Sequence, residues 1–237
     1  MSAPQRFVEF LQEKQYHPRS SSHGNKLNEL LLKDLLDTCD AFRAAAKSGK
    51  IVYKANYSVG KGSSTSWNLD LVVGPPASSQ KILTGELSEG EPAEIWIGID
   101  QKTVMTEHGK ARRNRQRDLD ALHDTLHRKN PKTVVGALMV VNIADRFQSP
   151  LRDGVTIHKN IERLVRETIE LYRGIPRSEK GGAGLDALGV IVVAHTNLKD
   201  ESKLVVNDPA PQDGDSLHYR TFLEDLCRAF GTRFDVC

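Results

Sequence analysis

Two carboxylates and one amine carry the chemistry that this sequence can be expected to perform. Asp70 lies in the run Trp67-Asn68-Leu69-Asp70-Leu71-Val72-Val73, and Asp100 in Ile95-Trp96-Ile97-Gly98-Ile99-Asp100-Gln101-Lys102. Both runs are short, apolar and of strand character. Carboxylate oxygens are the ligands that a hard divalent cation such as Mg2+ prefers. Phosphodiester hydrolysis needs an activated water, charge relief on the pentavalent phosphate and help for the leaving oxygen, and a cation held in this way supplies much of that. If Asp70 and Asp100 meet at one sheet edge, both reach the ion, and the backbone carbonyl of Gln101 is a further ligand. Lys102 projects to the same face as Asp100, because strand side chains alternate. There its ammonium can orient the attacking water or stabilise the phosphorane charge.

Basic residues follow directly. Lys110, Arg112, Arg113, Arg115 and Arg117 fall within eight residues, while acids collect at 86–94. The net charge is only +2, but local charge sets the field that a polyanion meets. The cluster is read as a helix that presents cations to a DNA backbone, with some arginines able to reach guanine edges. Its plain alternative is a solvated helix face paired with Asp118 and Asp120. Arg115 sits within the apolar arc of that helix and has a further alternative, pairing with a site carboxylate. Lys61, in the turn Gly60-Lys61-Gly62-Ser63-Ser64, is a candidate DNA contact. An ordinary exposed turn is the competing reading, since the spacing is not that of a P-loop. His123 and His127 lie one helical turn apart without the intervening Glu of a zincin. His195-Thr196-Asn197 ends an apolar strand, either as a polar strand end or as a base-reading element. No Ser/His/Asp or Cys/His constellation can be argued.

The elements that must position these groups are legible in outline. A short helix within 1–25 would face Phe7, Phe10 and Leu11 inward, and 18–24 reads as a loop. A helix over 25–48 repeats Leu27, Leu30, Leu31, Leu35 and Phe42. Strands are expected at 51–57, 66–73 and 94–101, with a short one at 81–83. Helices follow at 107–129, 158–173 and 216–230, and central strands at 134–143 and 188–194. The implied fold is α/β, a mixed sheet covered by helices.

Composition limits the rest. The 237 residues suit a single domain, 1–237, with an N-terminal extension (1–25), a catalytic core (26–200) and a C-terminal helix (201–237). No apolar run approaches the roughly 20 residues of a membrane span, and no signal-peptide core is visible. Cys39, Cys227 and Cys237 read as too few and too scattered for a disulfide framework or a zinc site. A reducing, prokaryotic cytoplasm is therefore the expected compartment.

The acid on the second strand and the Asp-x-Lys on the third resemble the PD-(D/E)xK nuclease superfamily, the fold of many type II restriction endonucleases. The resemblance covers roughly 26–200: a leading helix, a three-strand meander, a helix and a strand. Leu69 stands where family members often carry Pro. The resemblance implies metal binding by Asp70 and Asp100, and catalysis by these two with Lys102. It further implies a Glu from the first helix as an extra ligand, for which Glu29 is the nearest candidate. The expected function is a Mg2+-dependent endonuclease cutting double-stranded DNA at specific sites, as a homodimer matched to a twofold duplex site. Segment 1–25 and the C-terminal helix are candidate dimer elements. The alternatives are a structure-specific repair or recombination nuclease, and a noncatalytic DNA-binding protein on the same scaffold.

Overall fold

In the computed structural model, residues 1–59, 67–77, 85–178, 183–199 and 201–234 are described. Helix α1 (Ala3–Glu13) leads into α2 (Ser22–Thr38) and α3 (Asp40–Lys47). Strands β1 (Val52–Val59), β2 (Trp67–Gly74), β3 (Ser88–Glu89) and β4 (Ile97–Val104) follow, then α4 (His108–His127) and β5 (Val134–Asn142). A hairpin of β6 (Arg146–Gln148) and β7 (Val155–Ile157) precedes α5 (Ile161–Arg173), β8 (Ala187–His195), β9 (Ser202–Leu204) and α6 (Tyr219–Arg233). Seven strands form one mixed sheet in the order β3-β1-β2-β4-β5-β8-β9. β1, β2 and β4 make an antiparallel meander, whereas β5 and β8 add parallel to β4. The class is the expected mixed α/β.

Strand periodicity divides the core into two layers. Leu71, Val73, Ile97, Ile99, Leu138 and Ile191 face α1, α2, α3 and α6. Val72, Val104, Val135, Ala137, Met139 and Val192 face α4 and α5. All nine residues of β5 are buried, as expected for a parallel strand covered on both faces. Burial of each such Val, Leu or Ile contributes about 1.5–3 kcal/mol.

Several expectations shift. β4 runs three residues later than 94–101, so Asp100 and Lys102 stand inside the strand rather than at its end. The helix expected over 25–48 is two helices, because Cys39 adopts extended angles (φ −112°, ψ 104°). Arg43 satisfies the carbonyls left open there, donating to Leu36 O at 2.6 Å and Asp37 O at 2.8 Å. The strand expected at 81–83 lies outside the described residues, as does Cys237.

Cys39 and Cys227 are joined in a disulfide, with Cα atoms 5.5 Å apart and a sequence separation of 188. Three cysteines read as too few and too scattered for a disulfide framework, and with them a reducing compartment is expected; the structure nevertheless pairs two of them in a single bond. The break between α2 and α3 turns Cys39 toward α6, a proximity that sequence spacing does not reveal.

Segment 1–25 and the C-terminal helix, the candidate dimer elements, place their apolar residues inside the chain. Ala3, Phe7, Val8 and Leu11 of α1 are buried in the chain's own core, as are Phe222, Leu226 and Phe230 of α6. Asp34 of α2 fastens both ends: it accepts from the Ala3 N–H (2.7 Å), from Tyr219 Oη (3.1 Å) and from the Arg6 guanidinium.

Candidate active site

The site forms where the meander opens. β2 and β4 pair through Val73–Ile97, Val72–Gly98 and Leu71–Ile99. In that register the next pair is Asp70 opposite Asp100, but the ladder has ended. The Asp70 carboxylate takes its place, with Oδ2 accepting from the Gln101 backbone N–H at 2.6 Å. On the other flank, β1 is irregular at the same level. Asn56, facing Asp70 between the pairs Ala55–Leu71 and Tyr57–Leu69, has φ 53°, a left-handed conformation that Asn tolerates better than most residues. Strict alternation breaks here, since Leu69 and Val72 pack in the same layer although three residues apart.

Asp100 is fully buried. Its Oδ1 accepts from Lys102 Nζ at 2.5 Å, which realises the same-face relation expected from strand alternation. Its Oδ2 is buried without a hydrogen-bond partner among the described residues. Burial pushes the Asp100 carboxyl up to about 7, the Lys102 ammonium pulls it back, and the nearby Asp70 carboxyl adds to the rise. Desolvation therefore outweighs the ion pair, and the protein alone leaves this carboxylate short of positive charge.

α2 supports the site from the other face of β4. Asn28 Nδ2 donates to the Asp70 carbonyl at 2.8 Å, and Asn28 Oδ1 accepts from Gln101 Nε2 at 2.6 Å. A strand residue's N–H and C=O project to the same edge, so the Gln101 carbonyl faces the gap that Asp70 fills. A cavity of about 200 Å³ opens over these groups. Asp70, Gln101, Lys102 and Arg115 line it together with Tyr16, Ser20, Ser21, His23 and Gly24. Larger hollows of about 380 and 670 Å³ lie along β8–β9 and beside Arg146. Neither touches Asp70 or Lys102.

The other expected residues divide. Glu29 is not brought to the carboxylates: it is exposed and pairs with Lys26 at 2.9 Å. Asn28, one position earlier, takes the inward place, because a one-residue step rotates a helical side chain by about 100°. Lys61 lies outside the described residues. On α4, Lys110, Arg113 and Arg117 are exposed and form no ion pair among the described residues. Arg112 pairs with Glu167 at 2.8 Å and Arg115 with Asp118 at 3.1 Å. Arg115 therefore reaches the cavity, but its charge partner is a helix neighbour rather than a site carboxylate.

His195 and Asn197 are buried, which removes them from base reading. His195 meets Ser202 Oγ at 2.7 Å and Asn197 Oδ1 at 3.2 Å, and burial lowers it to about 4. Asn197 in turn clasps Tyr16, accepting from its N–H (2.6 Å) and donating to its carbonyl (3.0 Å). Tyr16 Oη lies 2.9 Å from Thr103 Oγ1, so this polar cluster fixes the α1–α2 connection over the cavity. His127 contacts the Thr133 carbonyl and His123 contacts Asp124, each at about the usual bonding distance. Sequence reasoning passed over Asn28, although it breaks the otherwise apolar stripe Leu27, Leu31, Leu35, a signal of a buried polar role.

Among the described residues, no group of three or more His, Cys, Asp and Glu side chains converges; the acidic donors at the site are two. No helix there is long and apolar enough to cross a membrane. Comparison with protein-family models, curated proteins and solved structures finds no match to this chain.

Proposed function

We propose that this chain is a Mg2+-dependent endonuclease that hydrolyses phosphodiester bonds of double-stranded DNA, in the manner of a type II restriction enzyme. The observation that carries this reading is the meeting of Asp70, Asp100 and Lys102 where β2 and β4 part. Asp100 Oδ2 fits a cation, being a buried acceptor without a partner on a carboxylate held at about 7. The two acids and the Gln101 carbonyl are the residues that would hold Mg2+, which when bound supplies Lewis acidity and lowers the pKa of water.

The protein's own groups do the rest. Asp70 keeps its place by accepting the Gln101 N–H, which fixes it relative to Asp100. Lys102 offers positive charge at the cavity wall, where a phosphorane would develop negative charge. Arg115 adds a second cation to the lining of this cavity. Lys110, Arg113 and Arg117 remain free to contact backbone phosphates on either side. The order α2, β1–β2–β4, α4, β5 also agrees with the helix, meander, helix and strand of the PD-(D/E)xK core. A twofold duplex site would be met by a dimer of the chain.

The test is plasmid cleavage with purified protein and Mg2+. Wild type gives discrete fragments, Asp70→Ala gives none, and Lys102→Met slows cutting by about 10²–10³. Preference for branched over linear DNA would redirect the reading to a structure-specific nuclease. Equal inactivity of wild type and Asp70→Ala, with DNA binding intact, would leave a binding protein.

A further inference from the structure

His108 and His158 each bury a ring nitrogen that has no hydrogen-bond partner among the described residues. His108, the first residue of α4, is 1% exposed. Its Nε2 lies 2.7 Å from the Asn142 carbonyl oxygen. A carbonyl can only accept, so Nε2 carries the proton and Nδ1, the open nitrogen, carries the lone pair. His158 follows β7, and its main-chain N–H donates to the Asp145 carbonyl at 2.6 Å. The residue is half-exposed, yet its Nε2, at the tip of the ring, is buried and open as well. Buried polar atoms left in this state call for a water or an ion. The two rings are neighbours, with centres 5.4 Å apart and planes 79° apart, so they do not stack. With each nitrogen about 2.0–2.1 Å from a zinc ion and about 1.2 Å from its own ring centre, two imidazoles placed tetrahedrally have centres about 5.2 Å apart.

We propose that His108 Nδ1 and His158 Nε2 together bind a transition-metal dication of the zinc class, between the start of α4 and the segment leading into α5. Imidazole nitrogen suits zinc, nickel and copper, whereas magnesium takes oxygen. The position is therefore chemically distinct from the Asp70–Asp100 pair and independent of the nuclease reading. The Asn142 carbonyl holds the His108 ring by its other nitrogen, the support that a metal-ligating histidine ordinarily receives. The Asp145 carbonyl holds the His158 backbone. Burial lowers both histidines from the ordinary 6.5, which keeps their lone pairs free at neutral pH. Arg112, one helical turn along α4, adds to the lowering of His108, but its own charge is answered by Glu167 at 2.8 Å. Two protein ligands leave the remaining positions to water, so the ion is exchangeable.

Zn2+ titrated into the full chain, with Mg2+ in excess to hold the carboxylates, tests this by calorimetry and by the nitrogen chemical shifts of the histidine rings. Wild type should bind Zn2+ with His108 Nδ1 and His158 Nε2 shifting together, while the rings of His123 and His127 stay unmoved. His158→Gln, a change at a half-exposed position, should lose this ion, and Asp70→Ala should keep it. Unchanged Zn2+ binding by His158→Gln would overturn the proposal. So would a shift of only one of the two rings, or no Zn2+ bound by wild type in excess Mg2+. DNA cleavage by these proteins bears on the nuclease reading alone.

Discussion

Asp100→Asn should stabilise the metal-free protein at alkaline pH, although it removes one half of an ion pair. An ionised Asp100 is fully buried, and its carboxyl is raised from the ordinary 3.8 to about 7 despite Lys102. At 1.36 kcal/mol per pKa unit, that rise makes the charged form cost about 4 kcal/mol in the folded state. The sign follows from proton counting. Between about pH 4 and about pH 7 the native state holds a proton that the unfolded chain has lost, so stability falls as pH rises through this window. Below it both states are protonated and the penalty is absent. Asparagine, neutral and of the same shape, never incurs it. Urea unfolding in chelator should therefore give wild type and Asp100→Asn similar stabilities at about pH 4, diverging in favour of the variant by up to about 4 kcal/mol by about pH 8. Added Mg2+ at a hundred times the dissociation constant of the Asp70–Asp100 site should return about 2.7 kcal/mol to wild type, a contribution that Asp100→Asn lacks. Parallel pH dependence of the two proteins in chelator would refute the account of Asp100 as a desolvated carboxylate awaiting a cation.

Three further outcomes follow. Replacing Lys110, Arg113 and Arg117 together by Gln should flatten the slope of log affinity for duplex DNA against log salt by about 3, at about 0.9 per phosphate contact; an unchanged slope would place DNA elsewhere. Asp34→Ala leaves Arg6, the Ala3 N–H and Tyr219 Oη without their shared acceptor, and a loss of about 3–5 kcal/mol in urea unfolding is expected. Cys39→Ser, or thiol reductant on wild type, opens a cross-link with a sequence separation of 188 and should cost about 2–5 kcal/mol. Coincident unfolding curves with and without reductant would show that the bond does not form in solution.

Local periodicity in the sequence marks the five long strands and most of the helices, while the short strands β3, β6, β7 and β9 carry no such signal. Apolar runs broken by Asp70 and Asp100 mark strands carrying acids, and the two-residue period alone puts Lys102 beside Asp100. The sequence did not choose between Asn28 and Glu29, adjacent polar residues on one helix whose roles differ only in rotation about the helix axis. Nor did it show that Cys39 meets Cys227, or that Asn197 holds Tyr16, since such pairings are set by how distant elements pack. The opening between β2 and β4 belongs to the tertiary structure as well. It requires the left-handed Asn56 on one flank and the end of the ladder on the other, and strand periodicity assumes that neither occurs. Residue types carry the donors of a site, but only register and packing decide which of their atoms are left without a partner.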